Sequence, residues 1–214
     1  HGLFKVSDGI YQLRGFDLAN MTLIEGDTGW IVVDPLTAKE TSKAAFDFAQ
    51  KHLGTKPISA ILFTHSHLDH FGGALGLVTS EQVKQQGIRV IAPEGFMEEA
   101  TSENIIAGTA MSRRAMFMYG KRLARNERGH VGTGLGKGPA FGSFSILAPT
   151  ELVNHQTPIL KVDGVNIDFQ FTPGSEAPAE FTFYLPDHKA FCGAEVVSRN
   201  MHNLYTLRGA KVRS

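Results

Sequence analysis

Seventeen residues, Pro57 to Gly73, constrain this chain more than any other stretch. Ile58 to Phe63 is a short apolar run rich in β-formers, bounded by Pro57, and reads as a buried strand. The run ends on Thr64-His65-Ser66-His67-Leu68-Asp69-His70, followed by Gly72-Gly73. Imidazole nitrogen and carboxylate oxygen are ligands that suit zinc and similar divalent ions. His65 and His67, two apart, share a side if the chain is still extended there. Asp69 and His70 then fall in a turn and can face a second ion beside the first. One ion takes three or four ligands, so four candidates this close point to a shared two-metal site. The bland alternative is a polar loop with incidental histidines. It suits a lone histidine far better than three histidines and an aspartate at this spacing.

Thr64-His-Ser-His-Leu-Asp-His-Phe-Gly-Gly73 resembles the H-x-H-x-D-H signature of the metallo-β-lactamase superfamily. The resemblance implies an α/β fold, the αββα sandwich. It says little about substrate, because function resides in the site and not in the fold. With 214 residues the chain is long enough for one such domain, and we assign 1–214 to it as a single catalytic domain. Lys+Arg and Asp+Glu are both 21, a balance that favours neither nucleic acid nor an anionic membrane as partner. No apolar run reaches transmembrane length, and the first residues do not form a signal peptide. The single cysteine, Cys192, excludes an internal disulfide. The chain opens at His1 without an initiator Met, so upstream residues are expected either to have been removed or to lie outside this sequence.

In chain order, Ile10 to Leu13, Met21 to Ile24 and Trp30 to Val33 read as strands, with a turn at Gly26-Asp27-Thr28-Gly29. The last of these ends on Asp34-Pro35. Asp34 reads either as a strand-end residue capping a loop or, following the superfamily, as a buttress behind the metal ligands. Thr37 to Leu53 has helical apolar spacing and stops at Gly54. Leu75 to Gln86 reads as a helix and Ile88 to Ile91 as a strand. Pro93 can start a helix over Glu94 to Ile106, and Thr109 to Leu123 reads as a further helix. That last segment carries Met111, Met116, Phe117 and Met118 beside Arg113, Arg114, Lys121 and Arg122. It is either an amphipathic helix with a solvated basic face or a lid over an apolar substrate. Residues 129–142 hold six glycines. A phosphate loop would need glycine at 131 and Ser or Thr at 138, where Val131 and Gly138 stand, so this is a loop and not a nucleotide site. Phe144 to Leu147, Ile159 to Val162 and Val165 to Phe171 read as strands, with a hairpin turn at Asp163-Gly164.

The second chemical stretch is Thr172-Pro-Gly-Ser-Glu-Ala-Pro-Ala-Glu180, a loop that presents two carboxylates after a strand. Phe181 to Leu185 and Ala190 to Gly193 form a hairpin that runs into Glu195. An unpaired carboxylate there would be costly, and a metal would remove that cost. Where many superfamily members place histidine and aspartate, this chain has Glu176 and Glu195. With Asn200-Met-His-Asn-Leu-Tyr-Thr-Leu-Arg-Gly-Ala210, these residues resemble the zinc alkylsulfatases that hydrolyse dodecyl sulfate and related esters. The resemblance implies two Zn2+ per complete subunit. One ion would take His65, His67 and Glu176; the other would take Asp69 and His70, with Glu195 bridging. It gives Asp69 and Glu195 catalytic roles and places Asn203 and Arg208 on the sulfate, where an arginine fork suits an oxoanion. It implies an alkyl sulfate substrate, a homodimer for the full-length protein, and a periplasmic or secreted location. The family's further histidine ligand has no counterpart among His130, His155, His188 or His202. Its later segments are also absent, so the fold is expected to be incomplete at its C-terminal side. Other hydrolases of this fold (acting on thioesters, lactones, β-lactams or phosphodiesters), a redox di-iron protein and a non-catalytic metal-binding fragment are the alternatives.

Overall fold

A computed structural model describes residues 1–133 and 138–198. Seven strands form one sheet in sequence order: β1 (Gly2–Ser7), β2 (Ile10–Arg14), β3 (Met21–Glu25), β4 (Trp30–Val33), β5 (Ile58–Leu62), β6 (Arg89–Pro93) and β7 (Glu151–Val153). β1 to β4 pair antiparallel through short turns, and β4 to β7 pair parallel through longer crossovers. A second sheet has the order β11-β10-β9-β8, with β8 (Leu160–Val162), β9 (Val165–Phe171), β10 (Phe181–Leu185) and β11 (Ala190–Cys192) all antiparallel.

Period-two alternation divides the larger sheet between two cores. Leu13, Leu23, Trp30, Val32, Ile61, Phe63 and Val90 face helices α1 (Lys39–Leu53), α2 (Leu68–Phe71), α3 (Ser80–Gln86) and α4 (Phe96–Thr101). Ile24, Ile31, Val33, Leu62 and Ile91 face Val165, Ile167, Phe181 and Phe183 of the smaller sheet. Both faces of β4 are therefore covered, and all four of its residues are buried. The described residues supply helix, sheet and sheet in the order of an αββα sandwich.

α1 begins at Lys39, with Glu40 in its first turn and Lys51 and His52 in its last, each complementing the helix dipole. The helix expected over Leu75 to Gln86 divides into a 3₁₀ turn (Ala74–Gly76) and α3. The division falls at Thr79, whose hydroxyl accepts from Gln82 N while Gln82 Oε1 accepts from Thr79 N, a capping box that fixes a new helix start. Pro93 does not open a helix. It ends β6, paired with Val153, and α4 starts after Gly95, which is left-handed at φ 82°. A π-turn (Ser102–Ile106) then leads to α5 (Gly108–Met118). Phe144 to Leu147 is not a strand. Leu147 is buried and Ser145 N is bonded to Gly72 O, so this segment packs against the core outside the sheet, and Glu151–Val153 pairs with β6 in its place. The hairpin turn at Asp163-Gly164 is as expected, with φ of 43° and 85°.

Phe63 carries the last core contact before the histidine cluster. It is fully buried, stacked on Phe96 at 5.2 Å and set edge-on to Phe71 at 6.2 Å. Phe63→Ala should cost about 3–5 kcal/mol, read as a lowered denaturant midpoint. A loss under about 1 kcal/mol would show that this cluster does not organise the domain.

Candidate metal centre

The site lies where the two sheets are stitched together beyond the C-terminal end of β5. Ser66 N donates to Ala179 O at 3.2 Å and Phe181 N to Thr64 O at 2.9 Å. These bonds set the histidine segment against the loop that precedes β10. Two glycines let the chain turn away after His70. A Cβ on Gly72 would meet Thr37 O at 2.3 Å, and one on Gly73 would meet Pro35 O at 2.3 Å.

Asp34, at the end of β4, is buried and left-handed at φ 54°. Its Oδ1 accepts from Thr64 N at 2.8 Å. Its Oδ2 accepts from Thr64 Oγ1 at 2.7 Å and from His70 Nδ1 at 2.8 Å. Because a carboxylate only accepts, His70 carries a proton on Nδ1, so Nε2 is the nitrogen that faces the site. The Thr64 hydroxyl spends its one proton on Asp34, so it accepts from His65 Nδ1 at 2.9 Å, and the neutral His65 ring leaves its Nε2 bare. Both Nε2 atoms are buried and without a hydrogen-bond partner among the described residues. A lone pair aimed into a shared, desolvated space fits a metal ion.

Six side chains converge on that space in two groups that share one residue: His65, His67, Glu176 and Glu195; and Asp69, His70 and Glu195. Within each group one ligand atom per residue lies within 4.8 Å of the others. His65 Nε2 is 3.7 Å from Glu176 Oε2 and 3.8 Å from Glu195 Oε2, and His67 Nδ1 is 3.0 Å from Glu176 Oε2. His70 Nε2 is 3.5 Å from Asp69 Oδ2 and 3.6 Å from Glu195 Oε1. The two oxygens of Glu195 thus face different groups. Bonds of about 2.0–2.2 Å from a tetrahedral ion put its ligands at such separations from one another.

Glu180, the second carboxylate of the loop, does not join either group. It is fully buried, and its Oε2 accepts from Ser175 Oγ, Glu176 N and Ala177 N at 2.9, 2.9 and 2.8 Å. It shapes the loop that presents Glu176. Glu103 of the π-turn, which no motif marks, has Oε2 3.6 Å from His67 Nε2. His155 packs on the Phe171 ring and His188 bonds to Asp8 O, so neither reaches the centre. Asn203 and Arg208 lie outside the described residues, as do Lys137 and His202.

Charge in the site is uneven. Burial, reinforced by His70 and His67, holds His65 well below the ordinary imidazole range, so it is neutral and ready to ligate. For His70 burial acts in the same direction, but the Asp69 and Asp34 carboxylates outweigh it and hold the ring well above that range. Asp69 is lowered: burial would raise it, and the His70 charge beside it prevails. Burial and the Asp34 charge push the Cys192 thiol up to about 12, so it stays protonated.

With this geometry in place, the comparisons agree with one another. The sequence profile of the metallo-beta-lactamase superfamily matches residues 14–154, and the chain belongs to that superfamily. It is 46% identical to a linear primary-alkylsulfatase of Pseudomonas sp. over 212 residues, which is 99% of this chain and 32% of the relative. It is 44% identical to an alkyl/aryl-sulfatase of Saccharomyces cerevisiae, covering 100% of this chain and 33% of that one. The solved structure of a stereoselective inverting sec-alkylsulfatase from Pseudomonas sp. superposes with a TM-score of 0.93 at 46% identity, covering 99% of this chain and 34% of that one. A metallo-beta-lactamase from Hirschia baltica, 14% identical at a TM-score of 0.51, shares the fold. The chain spans about a third of the length of the curated relatives it matches.

A metal entering beside His70 must displace a proton held there by Asp34 and Asp69, whereas His65 gives none up. Affinity at the Asp69–His70–Glu195 group is therefore present above the His70 pKa and is lost as pH falls through it. Asp34→Asn keeps the shape, and asparagine tolerates the left-handed backbone, but its amide nitrogen must face a donor. It should lower Zn2+ affinity about 10–100-fold and shift the acid-side fall to lower pH. Chelator competition across a pH series checks both. Unchanged affinity and pH profile would remove Asp34 from the centre.

Proposed function

We propose that the protein is the catalytic portion of an alkyl sulfatase that hydrolyses alkyl sulfate esters, dodecyl sulfate among them, to alcohol and inorganic sulfate. His65, His67 and Glu176 would hold one Zn2+, Asp69 and His70 the other, and Glu195 would bridge them. Two such ions would supply Lewis acidity, able to activate water at neutral pH and to offset the charge of the departing sulfate. Asp34 and Thr64 orient the imidazoles. Asp69 stands at the boundary between the polar centre and an adjoining cavity and would orient the attacking water. Asn203 and Arg208 would take the sulfate oxygens, the arginine through its planar fork. The working form would be a homodimer of the full-length protein, by the same likeness to alkylsulfatases.

The observation that carries this reading is the cavity. It has a volume of about 250 Å³ and meets the metal centre at Asp69. Leu18, Leu68, Met111, Ala115 and Tyr119 line it, together with Phe144. The helix that reads as either an amphipathic surface helix or a lid contributes Met111 and Ala115 to the cavity wall, while its Arg113 and Phe117 are exposed. A polar site for an oxoanion opening on a greasy recess suits an ester with a charged head and an alkyl tail. The relatives named as alkylsulfatases support the same substrate class over the whole chain.

The full-length protein should release sulfate from medium and long alkyl sulfates faster than from short ones. Each buried methylene contributes up to about 0.8 kcal/mol, so several change kcat/KM by orders of magnitude. Arg208→Ala should impair turnover more than Arg208→Lys, which keeps the charge and loses the fork. The assay is sulfate release over a chain-length series, with a β-lactam, a thioester and a phosphodiester as controls. Turnover of a control and of no alkyl sulfate would overturn the substrate assignment.

A further inference from the structure

Behind the cavity lies another buried carboxylate, Asp17, in the β2–β3 connection and remote from the metal ligands in sequence. It accepts five hydrogen bonds. Oδ1 receives Leu18 N at 2.8 Å, Ala140 N at 2.8 Å and Thr37 Oγ1 at 3.0 Å; Oδ2 receives Thr37 N at 3.1 Å and Thr41 Oγ1 at 3.0 Å. No cation pairs with it among the described residues. Its charge is met by these donors and by the N-terminal turn of the 15-residue helix α1, where Thr41 sits.

Three of the segments it grips are cavity wall. Leu18 and Thr37 line the cavity themselves, and Ala140 follows Pro139, which lines it too. The strap from Pro139 to Phe144 has no regular secondary structure of its own to hold its place. It is tied to α1 at both ends. Asp17 takes Ala140 N at one end. At the other, Glu40 Oε2 accepts from Ser143 N at 2.9 Å, Ser143 O accepts from Lys39 N at 2.8 Å, and Ser145 N donates to Gly72 O. A Cβ on Gly142 would meet Glu40 Oε2 at 2.3 Å, so the strap runs close against the helix start. Phe144, beside Ser143, faces the cavity from the anchored end.

We propose that Asp17 is a positioning residue for the substrate tail: with Glu40 it locks Leu18, Thr37 and the Pro139–Phe144 strap onto the N-terminus of α1, and so sets the depth of the cavity and the chain-length preference. This rests on the reading of the cavity as the alkyl site. A well-held wall makes each methylene of a fitting chain displace water against fixed apolar surface. A loosened wall adapts to any chain, or collapses, and the gain per methylene shrinks.

The test measures binding of straight-chain alcohols of increasing length to metal-loaded protein by calorimetry, beside sulfate release from the matching alkyl sulfates. In the wild type each added methylene should tighten binding about three- to fourfold until the cavity is filled. Asp17→Asn places an amide N–H₂ against a donor and should reduce that gain to less than about twofold per methylene. Glu40→Ala, on the exposed first turn of α1, should move the slope in the same direction by less, and carries the test if Asp17→Asn does not fold. A role confined to folding stability would weaken all lengths equally and keep the slope. An unchanged slope in the folded variants, or wild-type binding without length dependence, overturns the proposal. If alcohols show the Asp17-dependent slope while no alkyl sulfate is hydrolysed, the positioning role stands and the proposed reaction falls. If sulfate release keeps its chain-length preference in both variants, the reverse holds.

Discussion

One buried carboxylate, Asp34, determines what the histidine cluster can do. A carboxylate removed from water must be met by donors, or the cost is several kcal/mol. Asp34 is met by three, and two of them fix protonation states: His70 Nδ1 directly, and His65 Nδ1 through the Thr64 hydroxyl. The left-handed backbone at Asp34 turns the side chain under the histidine segment. Its neighbour Leu36 is also left-handed, at φ 63°, so the β4–α1 connection is strained at two non-glycine positions. Parallel pairing of β4 with β5 places this connection directly beside Thr64, and Asp34 N donates to Leu62 O at 2.9 Å.

The second dependence is the seam between the sheets. His65 and His67 follow β5 of the large sheet, while Glu176 and Glu195 come from loops of the small one. Side chains so far apart in sequence meet only because the backbone bonds from Thr64 and Ser66 to the Ala179–Phe181 segment close the gap. Glu180 contributes on the small-sheet side, its carboxylate organising Ser175 to Ala177 from within. Burial raises its pKa, and the bond from Ala177 N opposes that rise. The result is asymmetric: a neutral His65 on one side of Glu195, and a proton-holding His70 with two carboxylates on the other.

Much of this was legible in the residues. The His-x-His-x-Asp-His run after a β-rich segment marks a metal site wherever it stands, since few other roles need four such side chains in six residues. Glu195 was legible by its position after a strand, Glu176 only as one of two loop carboxylates until the resemblance to zinc alkylsulfatases chose it over Glu180, and Asp34 as one of two readings. The strands of the core other than β7 were legible because alternation, or its absence in β4, reports burial directly. Glu180, Glu103 and Asp17 were not. Each is an ordinary carboxylate in its local sequence, and its role appears only when distant backbone N–H groups or rings are brought to it. β1 was missed because none of its residues is buried and so it has little apolar pattern. The capping box at Thr79 broke a helix that periodicity alone would continue, and Phe144 to Leu147 has strand-like composition with its backbone bonds committed elsewhere.

The central claim is that Glu195 joins two groups of ligands into one binuclear centre. Elemental analysis of the full-length protein and its Glu195→Gln variant, prepared side by side, tests it most directly. A shared carboxylate predicts two divalent ions per chain in the wild type and loss from both positions in the variant, because a neutral amide bridges poorly. No bound divalent metal in the wild type, or a variant that keeps the full complement, would contradict it.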